Sequence, residues 1–224
     1  MVRIRLNNIE LIKKIRLLDK PYLAVADLEK IIGLQRKSLY VILNRLVKSG
    51  VLERLAKNIY VLFTESRDLA KIAGELYFPS YLSFEQALSH YGILPQIPYS
   101  LTFATPRPSK KLVLGDLEVE YSHLKKELFF GYVMEKGKYI AEKEKALLDE
   151  LYMVSLGKRS INLSELDLKD IDRTKLDQYV QRFPARIKLL LDSAKSYLGT
   201  TPVTLEGKER IKWPRHEIFK ENVV

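Results

Sequence analysis

Lys37, Tyr40, Asn44 and Lys48 fall within one arc of about 100° if the segment around them is a helix, with Val41 among them. Leu39, Ile42, Leu43 and Leu46 fall on the opposite side. The outward set carries the chemistry needed to read a duplex. Lysine meets a phosphate or a guanine edge, asparagine pairs bidentately with adenine, and tyrosine bonds a phosphate or stacks. Gln35, Arg36 and Ser38 stand at the start of the same helix, where unpaired backbone N–H groups and the helix dipole favour an anion. An ordinary solvated helix face also carries Lys and Asn, so the reading depends on what surrounds it.

The surroundings support it. A helix over about Asp27–Ile32 closes at Gly33, and a short Gly-Leu-Gln turn opens the helix Arg36–Ser49, which Gly50 stops. Two β-rich runs follow, Val51–Leu55 and Ile59–Phe63, around Ala56-Lys57-Asn58, with Asn58 expected in the left-handed region. A hairpin directly after such a helix is a wing, and Arg54 and Lys57 place positive charge on it. An earlier helix, capped by Asn7 or Asn8, has Ile9, Ile12, Ile15 and Leu18 at helical spacing and ends at Pro21.

Charge sorts the same way. The chain of 224 residues has a net charge of +10, and residues 1–63 hold 13 Lys/Arg against 5 Asp/Glu, whereas residues 64–224 hold 25 against 23. A basic excess confined to one quarter of the length marks a polyanion partner. No run of about 18 apolar residues exists, so no membrane span is expected. With no cysteine, no disulfide framework or thiolate metal site can form. No signal-peptide pattern opens the chain, and a cytoplasmic location is expected.

The remaining three quarters read as mixed helix and strand. Expected helices cover about 67–77, the segment from a Ser83–Gln86 capping box to Gly92, then 142–156, 174–182 and 184–198. Expected strands cover 101–105, a hairpin of 112–114 and 117–121, and a pair at 128–134 and 139–141. The fold class is α+β. Residues 1–63 form a winged helix-turn-helix, 64–198 a mixed α/β domain, and 199–224 a tail that includes Trp213.

Residues suited to catalysis are sparse. His90, His123 and His216 lie in separate segments without metal-ligand spacing. Asp116, Glu118 and Glu120 could hold Mg²⁺ in principle, yet Glu118 and Glu120 alternate onto the solvent face of a hairpin arm. The run Glu142, Lys143, Glu144, Lys145 and Asp149 reads as a solvated helix face. No catalytic residue, metal or cofactor is expected, and the chain is read as a non-enzyme. Arg107, between Pro106 and Pro108, sits on a stiff segment and reads equally as an exposed anchor or a structural turn arginine.

Three further stretches carry a resemblance: Pro79-Ser-Tyr-Leu-Ser-Phe-Glu-Gln through Pro98, Thr102-Phe-Ala-Thr-Pro-Arg107, and Ile140-Ala-Glu-Lys-Glu-Lys-Ala-Leu-Leu-Asp149. With the winged helix before them, they resemble the AbiEi antitoxins of the AbiE abortive-infection systems, a type IV toxin–antitoxin family, over about residues 5–198. The resemblance implies a DNA-binding autorepressor acting on a promoter inverted repeat, with protomers paired on the operator. It also implies a neighbouring nucleotidyltransferase-like toxin that the protein counters. On this reading Arg107, Glu144, Lys145 and Asp149 are the candidate partner-binding residues, the helix presenting its charges outward. The competing reading is a stand-alone winged-helix regulator whose C-terminal domain senses a small ligand through an apolar pocket.

Overall fold

The computed structural model describes residues 12, 13, 15, 20–63 and 67–196. Most of the expected first helix and the whole tail, Trp213 included, lie outside the described residues. Ile12, Lys13 and Ile15 are helical, and Ile15 is buried.

The fold is mixed α+β. Its first part runs β1 (Leu23–Ala24), α1 (Val25–Ile32), α2 (Arg36–Lys48), β2 (Leu52–Ala56) and β3 (Ile59–Leu62). The helices arise from the expected punctuation. Gly33 takes φ 68° and its N–H bonds Glu29 O, closing α1. Gly50, at φ 71°, follows α2. The strands form a sheet ordered β1-β3-β2, antiparallel throughout, with an irregularity between Arg54 and Ala56. Lys57-Asn58 make the hairpin turn, and Asn58 adopts φ 65°, as its tolerance of that region predicts.

This small sheet has two covered faces. Leu52 and Tyr60 join Leu28, Leu39, Leu43 and Leu46 in one core, while Leu55 and Val61 belong to the larger C-terminal core. The link continues outside the core: the Gly115 N–H donates to Leu55 O at 2.8 Å, and Arg67 pairs with Glu53 at 2.6 Å. Burial of Leu55 and Val61 is worth about 1.5–3 kcal/mol each, so the hairpin is anchored to both halves of the chain.

The second part runs α3 (Leu69–Leu76), β4 (Tyr81–Leu82), α4 (Phe84–His90), β5 (Ser100–Thr105), β6 (Lys110–Leu114) and β7 (Leu117–His123). It continues with a 3₁₀ turn at Lys126–Leu128, then β8 (Tyr132–Glu135), β9 (Lys138–Ala141), α5 (Lys143–Ser155), α6 (Arg173–Val180) and α7 (Ala185–Ser196). Six strands form a mixed sheet ordered β6-β7-β5-β4-β9-β8, with β5/β7 and β4/β9 parallel. Strand β4, too short to show alternation, joins the two hairpins into one sheet: Leu82 pairs with Phe103 on one side and Ile140 on the other. Helix α5 packs against α4, α6 and α7.

Several expectations change here. The helix expected at 67–77 is shorter because Asp68 caps it, accepting from Lys71 N–H at 3.0 Å. Ser83 precedes α4 but makes no capping bond; its hydroxyl donates to Asp149 Oδ2 at 2.8 Å. Thr102 Oγ1 faces that helix start instead, accepting weakly from Gln86 N–H at 3.4 Å. The strand expected at 128–134 splits, with 3₁₀ structure ending at Leu128 and β8 starting at Tyr132. Gly131, at φ 66°, lies between them. A Cβ there would come within 3.0 Å of the Tyr179 ring and 3.1 Å of the Lys145 stem, so a side chain would press on both neighbours at a backbone conformation that already favours glycine.

Candidate nucleic-acid interface

Helix α2 buries Leu39, Leu43 and Leu46, and Ile42 is half-buried. That packing turns the opposite side outward. Lys37, Asn44 and Lys48 are exposed there, as are Gln35, Arg36 and Ser38 at the helix start. Gln35 precedes the helix with extended backbone, and its carbonyl accepts the Leu39 N–H at 3.0 Å. The amides of Arg36, Lys37 and Ser38 therefore belong to the first turn, which has no carbonyl partners within the helix. Beside them the Arg36 guanidinium reaches Glu29 at 3.7 Å, and the Tyr40 hydroxyl and Glu29 raise its pKa further. The arrangement offers a phosphate both backbone donors and fixed positive charge.

Tyr40 is placed differently from Lys37, Asn44 and Lys48. It is half-buried, and its hydroxyl donates to Asn58 Oδ1 at 2.7 Å. Asn58 is held from the other side by its carbonyl, which accepts the Val25 N–H at 3.1 Å. The expected major-groove tyrosine and the expected wing asparagine are thus engaged with each other. Their bond ties the middle of α2 to the hairpin turn and to the start of α1. The bond sets the hairpin relative to the helix. The hairpin's exposed cations remain Lys57 at the turn and Arg54 on β2, whose Nε donates to Ala56 O at 3.4 Å.

The candidate partner residues of the C-terminal part behave differently. Glu144, Lys145 and Asp149 are all buried, the last two completely, so the expected outward charged face of α5 does not exist. The Lys145–Asp149 spacing of i,i+4 looks like a surface pair in one dimension. Three-dimensional packing closes α4, α6 and α7 over it. Lys145 and Asp149 form an ion pair. Tyr81 and Ser83 donate to Asp149 Oδ2 at 3.0 and 2.8 Å, and Lys145 Nζ donates to the Tyr81 hydroxyl at 2.9 Å. Burial pushes both partners towards neutrality, Asp149 up and Lys145 down, while their mutual attraction opposes it. Burial, then the Asp149 charge, holds the Tyr81 phenol well above its ordinary value. Glu144 accepts the Asp172 N–H at 3.0 Å, pinning the start of α6. Two stretches that carried the family resemblance, around 79–98 and 140–149, therefore meet inside the core as a polar brace between β4 and α5.

Arg107 makes structural contacts within the chain. Although exposed, it donates to Phe78 O at 3.0 Å and its guanidinium lies 4.0 Å from the Tyr77 ring centroid. Thr105 Oγ1 donates to Pro79 O at 2.8 Å and accepts the Arg107 N–H at 3.2 Å. The Thr105-Pro106-Arg107 stretch thus fastens the 78–79 turn.

A second, part-buried cluster had no signal in the sequence. Arg159, nearly buried, pairs with Glu85 and with Glu120 at 3.2 Å, and its guanidinium lies 4.4 Å from the Phe84 ring centroid. Glu150 is wholly buried nearby, and neither carboxyl oxygen has a hydrogen-bond partner. Burial, then the Glu85 charge, pushes its pKa up to about 8. These side chains come from α4, β7, α5 and the segment after α5, so no local spacing connects them. Asp116 and Glu118 stay exposed, and among the described residues no group of three or more His, Asp or Glu is placed to hold a metal ion. No helix among them is long and apolar enough to cross a membrane.

None of the curated proteins matches the chain. Residues 10–62, the stretch that holds α1, α2 and the hairpin, match the family model described as transcriptional regulator, AbiEi antitoxin, and over that stretch the chain is similar to this family.

Proposed function

We propose that this protein is a DNA-binding antitoxin and autorepressor of a type IV toxin–antitoxin system, with α1, α2 and the β2–β3 hairpin acting as a winged helix-turn-helix. The observation that carries the reading is the exposed stripe of α2. Lys37, Asn44 and Lys48 share one side of a 13-residue helix braced against a hairpin with Lys57 at its tip. That stripe lies in the basic quarter of the chain, which is also the part matched by the regulator family. In this proposal α2 enters the major groove, the first-turn amides and Arg36 hold a phosphate, and Lys57 and Arg54 follow the backbone. Two protomers on an inverted repeat would place their recognition helices about 34–36 Å apart, one turn of DNA. Residues 64–198 counter a nucleotidyltransferase-like toxin, and both activities belong to the cytoplasm.

Because the hairpin shares its core with the C-terminal part, the two jobs are best separated by surface substitutions in the full chain. Cutting near residue 63 would expose Leu55 and Val61. The test uses the chain's own promoter fused to a reporter, with the adjacent toxin gene expressed from an independent promoter. The Lys37→Ala/Asn44→Ala/Lys48→Ala variant should lose repression and still protect growth. Undiminished repression by that variant would rule out α2 as the reading element. Loss of protection together with repression would rule out the division of labour.

A further inference from the structure

The centre of α2 presents a residue that ordinary stability does not explain. Val41 is 70% exposed, a β-branched apolar side chain midway along a helix and on the same stripe as Lys37, Asn44 and Lys48. Valine is a mediocre helix former, and at this exposure its methyl groups face water. Single exposed apolar residues are common on protein surfaces and need no account in general. The position here is particular. It is flanked along the stripe by two side chains suited to base edges, on a helix whose orientation Tyr40 and Asn58 fix.

Resting on the reading of α2 as a recognition helix, we infer that Val41 is a specificity-determining residue that reads the C5-methyl group of a thymine in the major groove. Its chemistry fits that single feature of the groove. A thymine methyl is the one apolar feature there, and apolar side chains are its complement. Valine's branching leaves one strongly preferred rotamer in a helix, so its methyl groups are already placed and little freedom is lost on contact. Geometry gives the position within the site. Lys37 and Asn44 are seven residues apart, about 10.5 Å along the helix axis, or roughly three base-pair steps. Val41 stands between them. The thymine should therefore lie within about two base pairs of the bases contacted by Lys37 and by Asn44.

The test begins with the full-length protein and a pool of random 25-base-pair duplexes, from which the preferred site is enriched. Each thymine of that site is then replaced in turn by deoxyuridine, which removes only the methyl group. One thymine in each half-site should show a loss of about fourfold, the value of one buried methyl-sized contact. Val41→Ala, a substitution towards a better helix former at an exposed position, should bind the parent site about fourfold more weakly. It should also be indifferent to deoxyuridine at that thymine. If Val41→Ala still senses every thymine methyl as the parent does, or if no thymine methyl matters, the inference is overturned while DNA binding by α2 stands. If the pool yields no enriched sequence, the recognition-helix reading falls, and this inference with it.

Discussion

Glu150→Gln should remove a steep pH dependence from the protein's stability. Glu150 is 0% exposed, and neither oxygen has a hydrogen-bond partner. The ionisable groups that act on it are Glu85, Glu120 and Asp149, which disfavour its charge, and Arg159, which favours it. Burial dominates, and the carboxyl titrates at about 8 in the folded protein against 4.5 for the free group. A folded-state pKa raised above the unfolded value contributes stability that is complete below 4.5 and is lost as pH rises through about 8. At about 1.4 kcal/mol per pH unit, roughly 3 kcal/mol is lost between pH 4 and pH 7, and roughly 5 in all by pH 9. Rearrangement that lets water reach the carboxylate would lower the second figure. The assay is urea unfolding of the full-length protein and the Glu150→Gln variant at half-unit intervals from pH 4 to pH 9. Groups remote from Glu150 titrate alike in both proteins, so the difference between the curves reports Glu150 together with the charges that face it, Glu85, Glu120, Asp149 and Arg159. The variant should gain on the parent by about 3 kcal/mol between pH 4 and pH 7, whatever the fixed cost of burying its amide. A difference that stays constant across the range would refute the reasoning.

Four other outcomes are expected. Asn44→Ala should relax sequence preference at one base pair and cost about 1–3 kcal/mol on the parent site, measured by competition among single-base variants of that duplex. Lys57→Ala should weaken binding to every sequence alike and flatten the plot of log affinity against log salt by about one; an unaltered slope would show that Lys57 neutralises no phosphate. Tyr40→Phe removes the hydroxyl that donates to Asn58 and should cost about 1 kcal/mol of stability, weakening binding without changing the preferred sequence. A changed base preference would return Tyr40 to direct reading. Lys145→Met leaves Asp149 buried without its counter-charge and should cost about 3–5 kcal/mol, and adding Asp149→Leu should recover much of that loss in thermal unfolding.

The distribution of charge and the punctuation of the first quarter were legible because they depend on neighbours in the chain. Gly33 closes α1 and Gly50 follows α2, the apolar positions 39, 43 and 46 bury one side, and Asn58 takes positive φ at the turn. Each is a local consequence of side-chain size, period or backbone freedom. The outward stripe of Lys37, Asn44 and Lys48 follows from the same period, since once one side of a helix is buried the other must face away.

What periodicity could not supply was the environment of a polar residue. Lys145 and Asp149 have the spacing of a solvated pair, and only the closure of α4, α6 and α7 around α5 places them in the core. Ser83 has the sequence of a helix cap, yet Asp149, 66 residues away, takes its hydroxyl. Tyr40 has the angular position of a base reader, yet Asn58 in a hairpin turn 18 residues later accepts its hydrogen bond. In each case a hydrogen-bonding group left without water must find a partner, and the partner is chosen by which distant segments pack together. Local spacing, then, determined which segments became helix, turn and hairpin and where the basic side lay. Tertiary packing decided which charged and polar groups remain in water to meet a partner and which are enclosed to hold the fold, because burial is a property of assembled elements and not of the chain between them.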